Sequence, residues 1–378
     1  MMGSQIPQPA MFYNIQLEQF VSEDDPLRKI RSLIDTNRIR ELCKPLYSDQ
    51  GRPSVPPEQL FLALLGGYLL GVNSERGLIR RLRSDMAFRW FVGLNLDSQV
   101  WDATTFTQNR KRRFNESGIL EKLFDETVAV ALKKGLVSQH ASMDGTLVKA
   151  NASHKSFVPI EVFLKPSEYK KRIRSLDSEE EDDPGNPTVD FRGEKRSNQT
   201  HVSKTDEDAK MANKGNGTAS MVGYTVNGLM ENRHRILLNI GAEVFRGPAS
   251  ETEGGRDLID SFHEKHDFRI GTLGADKGYF NAKFIRGLVR RKIRPHIAAA
   301  IRGQGPMHEK VRRMTKGLKY GLSQKARKKI EELWGEAKCW HGFRSFKRRG
   351  LMNVRNETYL IGWLLNLKRL AKLIPSPA

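Results

Sequence analysis

Cysteine is almost missing from this sequence: there are two in 378 residues, Cys43 and Cys339, and neither sits in a CxxC pair. That excludes a disulfide framework and a cysteine-built zinc site. The nine histidines show no HxxxH spacing beside acidic ligands, so a zincin-type centre lacks its ligands too. No run approaches the roughly 18 apolar residues that a membrane span needs. The opening Met1-Met2-Gly3-Ser4-Gln5 has neither a basic n-region nor an apolar h-region, which argues against secretion and predicts a cytoplasmic protein. No internal repeat is visible, so a solenoid is excluded.

Positive charge, by contrast, is abundant. Lys and Arg number 64 against 44 Asp and Glu, a formal net charge of +20. Residues 281–350 carry 21 Lys/Arg against 4 acidic residues, while Glu179-Glu180-Glu181-Asp182-Asp183 gathers acid into one run. Counterion release makes such a basic surface a good ligand for phosphate backbones. Charge alone also fits ribosomal proteins, chromatin proteins and membrane-surface binders. A site is needed to choose among them.

The patterning divides the chain in two. Residues 1–50 suggest short helices. From Pro56-Pro57-Glu58 a helical pattern begins, with Leu60, Leu64, Leu65 and Tyr68 at helical spacing. Ser74-Glu75-Arg76 opens a second helix, 85–91 a third, and Asp102-Ala103-Thr104-Thr105 caps one that closes in Arg110-Lys111-Arg112-Arg113. That basic run is a solvated helix face or a DNA contact, with equal weight. After Gly135 strands begin: one around Asp144, two at 220–230 and 235–245, and a short one at 270–275 delivering Asp276. Helices are expected at 251–264, 280–291 and 324–339, and a strand at 295–300. Between 165 and 215 the chain is polar and broken by Pro184-Gly185-Asn186-Pro187, which reads as a flexible insertion. An α/β layer architecture follows, with an all-helical domain over 1–125 and a second domain over 136–365.

Three acids carry the candidate chemistry. Asp144 lies within a strand, where an acid commonly just faces solvent. Asp276 ends a hydrophobic strand, the place where ligands collect in α/β sheets, although a turn or capping role is open. On the helix near 330, Ile330, Leu333, Trp334 and Ala337 form the buried stripe. At about 100° per residue, Glu332 falls opposite that stripe, while Glu331 and Glu336 lie on its flanks. Arg327 and Lys338 share the face of Glu331, as a plain salt-bridge row would also arrange them. Acids brought together from separate elements can hold Mg²⁺, and a pair of such ions roughly 4 Å apart supports in-line displacement at phosphorus.

These residues resemble the DDE transposases of bacterial insertion sequences, in the branch whose last acid lies in an Arg-x3-Glu-x6-Lys helix. Here that helix holds Arg327, Glu331 and Lys338. The similarity runs from about residue 54 to 365, through Val55-Pro56-Pro57, Met143-Asp144-Gly145-Thr146, Thr205-Asp206-Glu207-Asp208-Ala209, Ala275-Asp276-Lys277-Gly278-Tyr279 and Arg327–Gly350. The long interval between the first two acids suits a family with an insertion there. The resemblance implies an RNase H-like catalytic domain, a mixed central sheet flanked by helices, behind a helical DNA-binding and oligomerisation domain. Asp144 would lie on its first strand, Asp276 on its fourth and Glu331 on a late helix, together holding Mg²⁺ or Mn²⁺. It further implies double-stranded DNA as partner (terminal inverted repeats and target), a homo-oligomer, no membrane, and a nucleoid-associated location. Arg327 and Lys338 would contact phosphates, and Arg110, Lys111, Arg112, Arg113 and Arg344 are further candidate DNA contacts. Gln324 stands where the related pattern often carries Tyr.

Two other readings compete. Asp144-Gly145-Thr146 echoes the loop of aspartyl-nucleophile phosphatases, but the nucleophile position would be Ser142, which cannot form the aspartyl-phosphate. A catalytically inactive, transposon-derived DNA-binding protein shares the basic surface, and only the acids separate it from the enzyme.

Overall fold

In a computed structural model the protein is described over residues 16–72, 74–163, 190–191, 194–213, 219–247, 249–301 and 303–375. Most of the insertion expected at 165–215, including the acidic run at 179–183, lies outside the described residues. Short helices Leu17–Phe20, Pro26–Ser32 and Thr36–Cys43 lead into α1 (Pro57–Leu69) and α2 (Glu75–Ser84). The capping chemistry explains the boundaries. Pro57 occupies the first turn of α1, where a missing N–H costs nothing. The Ser74 hydroxyl accepts from Gly77 N at 3.0 Å, and Asp85 accepts from Phe88 N at 2.9 Å to start helix Met86–Val92. Left-handed Gly93 ends it. The helix expected to close in Arg110–Arg113 instead stops at Asn109 and passes into a π-helical turn, Arg110–Phe114. After it comes α3 (Ile119–Lys133).

The sheet is mixed and has six strands. Five of them are β1 (His140–Lys149), β2 (Met221–Glu231), β3 (Leu237–Val244), β4 (Thr272–Ala275) and β5 (Arg294–Ile297). They lie side by side in the order β5-β4-β1-β2-β3, and a short strand Lys210–Ala212 adds to the start of β2. β1, β2 and β3 pair antiparallel, whereas β4 joins β1, and β5 joins β4, in parallel. β2 is buried along nearly its whole length, as a strand covered on both faces must be.

One face is covered by α4 (Ala249–Lys265), brought close by Gly254 and Gly255, whose absent β-carbons would strike Asn227 and Met143. The other face takes α6 (Leu318–Trp340) and α7 (Leu351–Leu373), while α5 (Ala282–Arg290) packs beside β5 and against α4. Trp334 lies on Gly228, where a β-carbon would stand 2.7 Å from its ring. Helix α3 packs along α7, ring to ring at Phe124 and Tyr359. The N-terminal helices are joined to α7 through Tyr68, whose hydroxyl donates to the buried Glu357.

The segment Thr205–Ala209 has a structural task. Asp206 accepts from the Tyr224 hydroxyl at 2.7 Å and from Gly350 N at 3.1 Å, while Asp208 accepts from Leu351 N at 2.8 Å. Two carboxylates thus satisfy amides at the start of α7, where anions suit the helix dipole. Among the described residues no helix is long and apolar enough to cross a membrane.

Candidate active site

Parallel pairing sets the first two acids. His140, Ala141 and Ser142 of β1 face Thr272, Leu273 and Gly274 of β4. Continued two residues further, that register leads Asp144 toward Asp276, whose charge bears on its carboxyl. Asp276 is the first residue past β4 and accepts from Gly278 N at 2.8 Å, which turns the chain into the short helix Lys277–Tyr279. Alternation along β1 sends Met143 and Gly145 toward α4. Ser142, Asp144 and Thr146 therefore point to the opposite face, where Lys338 of α6 donates to the Thr146 hydroxyl.

This placement is electrostatically costly. Burial first, and then the neighbouring Asp276, push the Asp144 carboxyl from 3.8 up to about 7. Arg327 opposes that shift, whereas Glu251 and Glu331 add to it. Even in a chain of net charge +20, three other carboxylates bear on Asp144 against one guanidinium. Such an arrangement is what a cation-binding or acid–base site requires.

Helix α6 presents its three glutamates in different directions. Ile330, Leu333, Trp334 and Ala337 are buried as the angular pattern requires. Glu332 is 58% exposed and pairs with Arg235 at 2.8 Å. Glu336 faces α7, and His341 of the turn after α6 together with Lys368 of α7 holds its carboxyl down to about 2. Glu331 is 53% exposed and pairs with Arg327 at 2.8 Å. Gln324 carries the helix at the right height: its amide donates to His296 O at 2.6 Å and Ala275 O at 3.3 Å, clamping α6 to the ends of β5 and β4.

Among the described residues no group of three or more His, Cys, Asp or Glu side chains is arranged to hold a metal ion. The donor chemistry nonetheless suits a hard divalent cation, since every candidate is a carboxylate oxygen and no thiolate takes part. Glu331 bears on Asp144 through its charge, while its own carboxylate is held by Arg327.

Residues 15–112 match the family model described as "Transposase domain (DUF772)". The match covers the helical N-terminal part, stops before all three acids, and supports a transposase family and a DNA-processing enzyme. No curated protein and no solved structure matches the chain.

Within and beyond this transposase-domain match, the candidate basic contacts are placed unevenly. Arg110 is paired with Glu75 and lines a cavity of about 600 Å³ with Tyr68, Lys347 and Arg348, beside Asn151 past the far end of β1. Arg113 donates to Asn109 Oδ1 at 2.6 Å and lies 4.2 Å over the Tyr47 ring. Lys111 and Arg112 are exposed, as is Arg344, whose backbone carbonyl holds the Lys149 amide at 3.1 Å. Lys338 also donates to Leu147 O at 3.0 Å, so its ammonium pins α6 to β1. Arg327 is only 16% exposed and also reaches Gln324 at 3.3 Å.

Sequence reasoning passed over three groups beside the acids. Glu251, in the first turn of α4, lies against Gly145. Asn227 of β2 and Tyr279 are fully buried, and each has an oxygen without a partner among the described residues. The glycines Gly145, Gly254 and Gly255 were the available signal, since each marks a close approach of two backbones.

Proposed function

We propose that the chain is a DDE transposase of an insertion sequence, cutting and joining double-stranded DNA at terminal inverted repeats. The observation that carries this is the parallel register of β1 and β4, which leads Asp144 and Asp276 toward one another, with burial and Asp276 pushing Asp144 up to about 7. The strand order β5-β4-β1-β2-β3, three antiparallel strands followed by two parallel ones, supports an RNase H-like catalytic domain over about 136–365. The transposase-domain match supports a DNA-binding and oligomerisation role for the helices of 1–125.

Asp144, Asp276 and Glu331 would hold Mg²⁺ or Mn²⁺. Bound there, such ions supply an activated oxygen nucleophile and neutralise charge on the phosphate. The chain's own residues supply the rest. Asp144 gives up its proton near neutral pH before it can act as a ligand. Glu331 swings from Arg327, which frees a guanidinium for a phosphate oxygen. Gln324 and Lys338 keep α6 seated while this happens.

The test is divalent-dependent nicking of a duplex carrying the inverted repeats that flank the coding region. Asp144→Asn, Asp276→Asn and Glu331→Gln should each abolish cleavage and leave DNA binding measurable. The Arg327–Glu331 pair, and the lack among the described residues of three side chains arranged to hold a metal, favour the rival, an inactive DNA-binding protein. That rival binds the same duplex and never cuts it.

A further inference from the structure

Glu251 is absent from the three-acid reading, yet the packing holds it against Gly145 on the α4 side of β1 and beside Asp276. A β-carbon on Gly145, the residue after Asp144, would stand 2.8 Å from Glu251 Cγ and 2.9 Å from its Cδ. Gly278 keeps open a point 3.1 Å from Asp276 Oδ1 and 3.5 Å from Glu251 Oε2. Glycine at both positions leaves room for this carboxylate. Helix α4 also presents Glu251 from its first turn, where the dipole favours an anion.

Two buried polar groups point the same way. Asn227 Oδ1 lies 3.0 Å from the open point at Gly145 and has no partner among the described residues. The Tyr279 hydroxyl is also unpartnered, and its ring packs against Gly255 of α4. Orphaned oxygens of this kind mark a missing donor, water or ion.

We infer that Glu251 is a fourth carboxylate of the centre, ligating a divalent cation from the side of Asp276, with Asn227 Oδ1 and the Tyr279 hydroxyl meeting the water shell of that cation. Mg²⁺ and Mn²⁺ retain several waters when carboxylates bind them, and those waters need partners. The inference rests on the metal-dependent reading above.

Calorimetric titration of the full chain with Mn²⁺ alone, beside the nicking assay, separates the two claims. Glu251→Gln should bind Mn²⁺ at least about tenfold more weakly. Glu251→Asp keeps the charge at the helix start and the fold with it, but falls one methylene short and should weaken binding as well. Glu253→Gln, two residues along on an exposed side chain, should match wild type. If wild type binds Mn²⁺ and nicks DNA, and Glu251→Gln equals it in both, Glu251 is no ligand and the enzyme reading stands. A wild type that binds no Mn²⁺ and nicks nothing overturns both.

Discussion

Replacing Asp144 by Asn should stabilise the metal-free protein, and by an amount that depends on pH. The folded chain holds this carboxyl near 7, against 3.8 for an ordinary aspartate. Between those values the native state binds a proton that the unfolded state has released, so stability falls as pH rises. Asparagine imitates the protonated form at every pH. The benefit is therefore nearly absent below pH 4, grows through pH 4–7, and is level above that. At about 1.4 kcal/mol per pH unit the ceiling is about 4 kcal/mol. Solvent screening of a half-buried carboxyl brings the expected figure to about 2 kcal/mol. With about 2 cal/mol/K of unfolding entropy per residue across 378 residues, Tm rises by about 2–3 °C at pH 8. Melts of both proteins at pH 4, 6 and 8 in chelator decide it. Saturating Mn²⁺ should reverse the order, because only wild type then gains the full binding energy. A difference that stays flat across pH, or a less stable variant at pH 8, refutes the crowding argument.

Four further outcomes follow from the packing. Glu336→Gln should retain nicking while losing about 1–2 kcal/mol above pH 4.5, because a carboxyl held down near 2 stabilises the fold at high pH and loses that role as acid protonates it; loss of cleavage with unchanged melting would show that the wrong flank of α6 was chosen. Gly228→Ala places a methyl 2.7 Å from the Trp334 ring and should cost about 1–3 kcal/mol and depress nicking by shifting α6; a chemical denaturation midpoint equal to wild type would refute it. Glu357→Ala strands the Tyr68 hydroxyl and the Lys347 amide in the core and should cost about 3 kcal/mol or more, read by denaturant titration, with no loss meaning the helices are not anchored there. Lys338→Ala should weaken DNA binding and flatten its salt dependence, and an unchanged slope would leave Lys338 only its bonds to Thr146 and Leu147.

Local chemistry made much of this legible in advance. Ser74 and Asp85 announced helix starts, and the apolar run before Asp276 announced a strand. The period of α6 placed Glu332 in solvent, where it is. Helix α7 was not anticipated, because its residues from Leu360 to Leu367 are buried all round and a helix apolar on every side has no stripe to read. Nor could spacing distinguish Glu331 from Glu336. Lys368 and His341, from α7 and the turn after α6, claim the latter.

What the sequence determined by itself was the set of short-range elements, the basic balance and the identity of the acids, because capping, periodicity and charge act between near neighbours. Only the tertiary structure decided that the register of β1 and β4 leads residues 144 and 276 toward one another, that α6 faces them, and that Glu251 comes down beside Gly145. Those relations depend on strand register and on backbone approach at glycine, which join residues more than a hundred positions apart and leave no periodic mark in the chain.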